Sequence, residues 1–207
     1  MVSNSPITTT EMDGTGHAPR RRRADAERNI VAVVEAARTV FATSGVDAPA
    51  KEITDLAGVG VGTLYRHFPQ RSDLIVAVVR HGIEACAAAA PALSAEHEPG
   101  VALLRWLQRL TEFVGTKRGL ATALHSGDPA FDVLPGYFME RLEPALGALL
   151  EAAAATGEVR AEVSAKELLF AVALLCQPVS GEAPDYNQRM VAVLANGLRH
   201  PVEIRSG

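Results

Sequence analysis

The chain has 207 residues, nearly half of them apolar, with a formal net charge of −4, so it has the size for a small unit plus a larger domain but lacks the overall positive charge of a uniformly basic nucleic-acid binder. Scarce aromatics and abundant alanine favour helices over sheets, and Cys86 and Cys176 stand too far apart for a metal site, a redox pair or a disulfide framework. The first residues lack the charged-then-apolar layout of a secretion signal and no apolar run reaches the roughly 18 residues of a membrane span, so the expectation is a cytoplasmic chain with no membrane partner.

Residues 1–23 read as a disordered arm, a Gly/Thr/Ser/Pro-rich tail that ends in the contiguous Arg20, Arg21, Arg22 and Arg23. Taken alone, such a run is as readily a solvated charge cluster as a contact for DNA. Charge is unevenly shared along the chain: residues 1–80 carry +1 and residues 81–207 carry −5. A first helix is expected from Asp25, as N-cap, to Ser44, with Ile30, Val33, Val34, Ala37, Val40 and Phe41 at helical spacing and Gly45 as its C-cap. Pro49 suits the start of a second, short helix, which ends at Gly58 and carries Ile53, Leu56 and Ala57 as an apolar edge. A third helix fits between the glycines and Pro69, from about Val61 to His67.

In that third helix Val61, Leu64 and Phe68 fall at i, i+3 and i+7, leaving Thr63, Tyr65, Arg66 and His67 for the other face. If Leu64 and Phe68 point inward, a row of hydroxyl, guanidinium and imidazole donors points outward, suited to a phosphate-walled groove. The segment ITDLAGVGVGTLYRHFPQRSDL, Ile53 to Leu74, resembles the helix-turn-helix of the TetR family of bacterial repressors, whose pattern runs roughly I-A-x-x-A-G-V-S-x-G-T-L-Y-x-H/Y-F-x-x-K-x-x-L. Agreement is in register at the glycine, valine, Gly-Thr-Leu-Tyr and Phe positions. Residues 24–71 are thereby expected to form a three-helix DNA-binding domain. The resemblance implies that Lys51, Val61, Gly62, Thr63, Tyr65, Arg66 and His67 face DNA, that Arg71 clamps a phosphate, and that Arg20 to Arg23 enter the minor groove or brace phosphates. Tyr65 and His67 suit positioning on the backbone, or otherwise half-buried packing; Arg66 and Thr63 suit reading base edges. The sequence departs from the family pattern at Gly60, where Ser or Thr is usual, at Ala48 and Pro49, where Thr or Ser commonly caps the second helix, and at Thr54 and Arg71, which stand for Ala and Lys. Val61, at a base-reading position, offers only apolar contact, for instance to a thymine methyl.

Residues 72–202 are expected to form a second, helical domain for ligand binding and dimerisation. A linking helix runs from about Ser72 to Ala90 and stops at Pro91. Residues 101–116 place Leu103, Trp106, Leu107, Leu110 and Phe113 on one broad face, which walls either a cavity or an ordinary core. The stretch LTEFVGTKRGLATAL, Leu110 to Leu124, is similar to the ligand domain of the SbtR-like subgroup of the same family. A short helix is expected over Lys117–Ser126 and a longer one over Pro129–Thr156, interrupted by Pro135 and Pro144. Phe131, Leu134, Tyr137 and Phe138 are candidates to line a site for a small hydrophobic effector, and His125 either orients that ligand or is a satisfied core histidine. The run LLFAVALLC, Leu168 to Cys176, is apolar all round and needs burial on two sides. With Leu168, Val172 and Leu175 from this run, and Tyr186, Met190, Val193, Leu194, Gly197 and Leu198 from the last helix, two subunits form a four-helix interface, as the resemblance also implies.

Other chemistries find little here. GVGVG does not complete G-x-G-x-x-G and follows no strand; H-E-x-x-H and G-x-S-x-G are missing; Glu140 and Glu143 read as solvated neighbours on one helix face. The expectation is therefore an all-α protein without catalytic residues, metal or cofactor: a homodimeric repressor that leaves a palindromic double-stranded operator when an effector binds. A catalytic helical protein and a structural adaptor are the competing classes, and neither accounts for the arginine run together with the outward polar row.

Overall fold

The computed structural model describes residues 17–116, 120–160, 162–177 and 185–199, and among these the chain is helical with no strand. The first helix, α1 (His17–Ser44), is followed by α2 (Ala50–Ala57) and α3 (Val61–His67). Val33, Val34, Ala37, Val40 and Phe41 of α1 are buried together with Ile53 of α2, Leu64 of α3 and Phe68 just beyond it. Gly45 and Gly58 hold φ of +80° and +68°, the left-handed geometry that lets both helices end abruptly.

The start of α1 corrects one expectation. It begins at His17 rather than Asp25, so Arg20, Arg21, Arg22 and Arg23 belong to helical backbone and not to a disordered arm. Alanine and arginine are good helix formers, and Pro19 is tolerated in a first turn where its missing N–H has no intrahelical partner. Asp25, expected to cap, instead lies inside the helix and pairs with Arg28 one turn on.

A long helix, α4 (Arg71–Glu96), links the two halves and packs on α1, then on α5 (Pro99–Thr116) and α7 (Val133–Ala155). It runs past Pro91, which was expected to stop it; Pro91 lies on the solvent side, where the carbonyl that has lost its N–H donor can be hydrated. This extension also makes α4 long and apolar enough to cross a membrane by length and composition, contrary to the sequence reading. Within the fold it behaves as a core helix, with Leu74, Ile75, Val78, Val79, Ile83, Cys86 and Ala90 buried.

The remaining elements are α6 (Ala121–Leu124), a single 3-10 turn at Pro129–Phe131, α8 (Ala165–Leu175) and α9 (Tyr186–Arg199). Residues 117–119 of the helix expected over Lys117–Ser126 lie outside the described residues. Neither Pro135 nor Pro144 breaks α7: Pro135 sits in its first turn and Pro144 is carried inside it. The core centres on Trp106, fully buried, whose Nε1 donates to the Cys86 carbonyl at 2.8 Å and so satisfies the one polar atom of the ring. α5 packs on α7 and α9, and α7 in turn on α8, so that Leu103, Leu107 and Leu110 of α5, Leu142, Leu146 and Leu149 of α7 and Leu168, Leu169 and Val172 of α8 are buried in one core. At Gly82 the Phe113 ring comes so close to α4 that an added Cβ would lie 2.2 Å from it.

Candidate nucleic-acid interface

The turn between α2 and α3 is built by backbone. After Gly58 turns left-handed, its N–H reaches Asp55 O at 3.4 Å and the Val59 N–H reaches Thr54 O at 3.1 Å, closing α2 while Val59 packs against the core. Thr54, in place of the usual alanine, is buried without cost to satisfaction because its hydroxyl donates to Lys51 O at 3.1 Å. Gly60 then caps α3 with no side-chain hydrogen bond.

On α3 the expected division of faces holds for Leu64 and Phe68 on one side and Tyr65, Arg66 and His67 on the other, but not for Val61 or Thr63. Leu64 is buried, whereas Tyr65 (53% exposed), Arg66 and His67 point to solvent, with Val61 and Gly62 also exposed and Thr63 half-buried. Arg66 falls in the last turn, where its positive charge complements the helix dipole. On α2, Lys51 is exposed but bridges Asp55 at 2.6 and 2.9 Å. An exposed pair of this kind is worth roughly 0–1 kcal/mol, so a phosphate can replace the carboxylate at little cost.

Arg71, expected to clamp a phosphate, is engaged within the chain. Its Nε donates to Val46 O at 2.7 Å, its Nη2 donates to Val46 O and to Ala48 O at 2.6 Å, and its guanidinium lies 4.9 Å from the centre of the Phe41 ring. Burial pulls the guanidinium below its ordinary pKa, with Asp47 and Tyr65 opposing, and it stays charged. The side chain thus staples the start of α4 to the α1–α2 loop. The planar fork spans two carbonyls, which a lysine, a point charge, would not.

Two more polar links tie α4 to its neighbours. His81 Nε2 lies 2.6 Å from Glu35 Oε1 on α1. Burial raises the Glu35 carboxyl, but hydrogen bonds from Arg38 and His81 outweigh it and leave the pKa lowered. On the α7 side, Glu84 accepts two hydrogen bonds from Arg141, at 2.8 and 2.7 Å, and one from the Tyr137 hydroxyl, while Arg80 stacks over the Tyr137 ring at 4.1 Å. Arg141 first, then Tyr137, holds the Glu84 carboxyl below its ordinary range.

Of the residues expected to line an effector site, Leu103, Trp106, Leu107, Leu110, Phe131 and Leu134 are buried, Phe113 and Phe138 are half-buried, and His125 is exposed beyond α6 rather than enclosed with them. Tyr137 is committed to the Glu84 link instead. Leu107 borders a cleft of about 450 Å³ between α5 and α9 that Leu104, Gln108, Thr111, Gln188 and Val191 also line. Phe113 borders a void of about 30 Å³ with Gly82 and Leu120.

The residues expected at a dimer face do not share one exposed surface. Leu168, Val172 and Leu198 are core residues, so they are not available to a partner, whereas Phe170 (51%) and Leu174 (72%), which the sequence did not single out, are exposed with Val193. Leu175, Tyr186, Met190 and Leu194 are half-buried, and Gly197 is exposed. Phe170 and Leu174 stand at i, i+4, a spacing that was legible, but in an all-apolar run nothing local says which face turns inward. Leu56 was likewise expected on an apolar edge and is 58% exposed.

Residues 33–78 match the family described as bacterial regulatory proteins, tetR family, and residues 98–200 match the C-terminal domain of SbtR-like transcriptional regulators. The chain is also similar to the crystal structure of a TetR transcriptional regulator from Streptomyces coelicolor, at 33% identity over 82% of this chain and 98% of that one, with a TM-score of 0.69. The chain belongs to the TetR family. A TetR regulatory protein from Mycobacterium vanbaalenii is 34% identical over 86% of this chain and 99% of its own, again with a TM-score of 0.69. A TetR-type structure from Rhodococcus, 17% identical with a TM-score of 0.62 over 84% of this chain and 100% of its own, shares the fold. None of the curated proteins matches the chain. The α2–turn–α3 unit lies in the part of the chain that matches the tetR-family model, and the chain is a TetR-family, DNA-binding transcriptional regulator.

Proposed function

We propose that this TetR-family regulator is a homodimeric repressor released from a palindromic operator by a small, mainly apolar effector. The observation that carries the reading is the outward row of Tyr65, Arg66 and His67 on a helix anchored by Leu64 and Phe68. One α3 spans seven residues and reads few base pairs. Two of them on a two-fold axis read half-sites about 34–36 Å apart, or a multiple of that. The unpartnered Phe170, Leu174 and Val193 on α8 and α9 support an isologous four-helix contact, because apolar side chains this exposed lose water on pairing.

In this reading the effector sits in the C-terminal domain among the apolar side chains of α5 and α7, and α4 transmits its presence. The means of transmission are the links already described: Glu84 to α7 on one side, His81 and Arg71 to α1 and its loop on the other. Effector-bound and DNA-bound arrangements compete, so DNA must weaken effector binding by the factor with which effector weakens DNA.

Selection of the purified chain on a random duplex library tests the DNA half. The expected result is a palindromic site, bound at nanomolar concentration, with Arg66→Ala and His67→Ala each weakening it; failure to enrich any sequence refutes the regulator. For the effector half, a compound found by thermal-shift screening is titrated with and without the selected duplex, and equal affinities refute ligand release.

A further inference from the structure

Four described glycines hold positive φ and are required by their turns, but Gly60 and Gly62 do not belong to that group. Gly60 has φ −76° and ψ 148°, open to any residue, and Gly62 lies in the helix α3. A Cβ added at either position meets nothing within 4 Å. Neither backbone geometry nor packing inside the chain asks for glycine there. Both choices weaken α3, since glycine is a poor helix former and Gly60 forgoes the side-chain cap that Ser or Thr would supply. Gly115, Gly136 and Gly197 are equally free of contact, so open space alone does not single these two out; what sets Gly60 and Gly62 apart is that they flank an exposed apolar side chain at the end of the helix proposed to meet DNA.

Between them stands Val61, the first residue of α3 and 40% exposed although apolar. Its two methyl groups are the only side-chain carbons at the outermost end of the helix beyond Cβ, with bare backbone on either side. N-terminal residues of a recognition helix are those that meet base edges in the major groove. There every base presents donors or acceptors, and the one apolar feature is the methyl on C5 of thymine. A valine against any polar edge strips water from it and returns no hydrogen bond. Against a C5-methyl it buries carbon on carbon.

We propose that Val61 is a specificity residue that reads a pyrimidine C5-methyl group in each half-site, and that Gly60 and Gly62 are bare so that the helix end can approach closely enough for it to do so. The proposal rests on the DNA-binding reading of α3. It carries a consequence beyond thymine. The same methyl on 5-methylcytosine meets Val61 in the same way, so cytosine methylation at that step of the operator strengthens binding.

The test uses the full chain and the duplex selected above, with each thymine replaced in turn by deoxyuridine and the Kd read by fluorescence anisotropy. One buried methyl at ~0.8 kcal/mol corresponds to about four-fold in affinity, and two symmetric half-sites to about fifteen-fold. The expected result is one thymine per half-site whose replacement causes that loss in the wild type and little or none in Val61→Ala. Val61→Thr, which keeps the shape and exchanges one methyl for a hydroxyl, covers the case in which the alanine variant folds poorly. With cytosine at the same step, where the hydrogen-bonding edge also changes, the comparison is between cytosine and 5-methylcytosine, and the methylated duplex binds more tightly by the same factor in the wild type and not in Val61→Ala. Gly62→Ala raises Tm, because its Cβ meets open space, while it weakens DNA binding. If no deoxyuridine substitution matters, or if Val61→Ala and Val61→Thr leave the methyl effect intact, the inference falls and the DNA-binding reading stands. If no duplex is bound at all, both fall.

Discussion

Replacing Arg71 separates two roles for one side chain. In this structure its guanidinium makes charge-assisted hydrogen bonds to the Val46 and Ala48 carbonyls and lies over Phe41. Hydrogen bonds involving a charged group contribute about 1.5–3 kcal/mol each, and a cation over a ring roughly 0.5–1 kcal/mol at exposed sites. The site is half-buried and the contacts share carbonyls, so they do not add in full. Arg71→Ala is expected to cost about 2–4 kcal/mol, which for a chain of this size lowers Tm by roughly 5–15 °C. Arg71→Lys keeps the charge but cannot span both carbonyls and is expected to lose about half as much. The assay is thermal unfolding followed by circular dichroism, paired with DNA affinity against salt at a temperature where all variants are folded. A staple leaves the salt slope intact. A phosphate clamp instead lowers the slope by about 0.9 for each phosphate released, with little change in Tm. An Arg71→Ala protein with unchanged Tm and a reduced slope would refute the assignment.

Three further outcomes follow from the geometry. Glu84 is held below the ordinary carboxyl value of 4.5 by Arg141 and Tyr137, so the folded state binds fewer protons than the unfolded one; the link contributes fully above that value and is lost as pH falls through the lowered pKa. The stability difference between wild type and Glu84→Gln in urea unfolding should therefore shrink on acidification below about 4.5, and a constant difference down to pH 3 would argue against it. Leu174→Glu, at a site 72% exposed, should yield a folded monomer in sedimentation velocity, whereas Leu168→Ala, at a site 1% exposed, should cost about 2–5 kcal/mol of stability; a dimer that survives Leu174→Glu would move the interface elsewhere. Gly82→Ala should lose about 1–3 kcal/mol through its clash with Phe113, and Phe113→Leu should restore part of it in the double mutant.

Much of the DNA-binding half was legible in the order of residues. The positions of Gly45, Gly58 and Pro69 bound α2 and α3 because only certain backbone angles are open to those residues, and the i, i+3, i+7 spacing of Val61, Leu64 and Phe68 set which side of α3 faces the core, except that Val61, at its outer end, stays exposed. Local chemistry is enough where local geometry decides. It was not enough at the ends of long helices. Arg20 to Arg23 looked like an arm because a charge run carries no periodicity, and Pro91 looked like a stop because its neighbours do not reveal which side meets solvent.

What only tertiary structure decided was direction. Arg71 reads the same whether it points to a phosphate or to the Val46 carbonyl, and the choice depends on a loop 25 residues earlier in the chain. Likewise the apolar run of α8 has no polar face to orient it, so Leu168 and Val172 turned inward, and Phe170 and Leu174 outward, only once α7 and α9 had taken their places. A sequence specifies which faces can be buried. Where more than one can, packing against distant elements makes the selection, because burial is a property of neighbours and not of the residue alone.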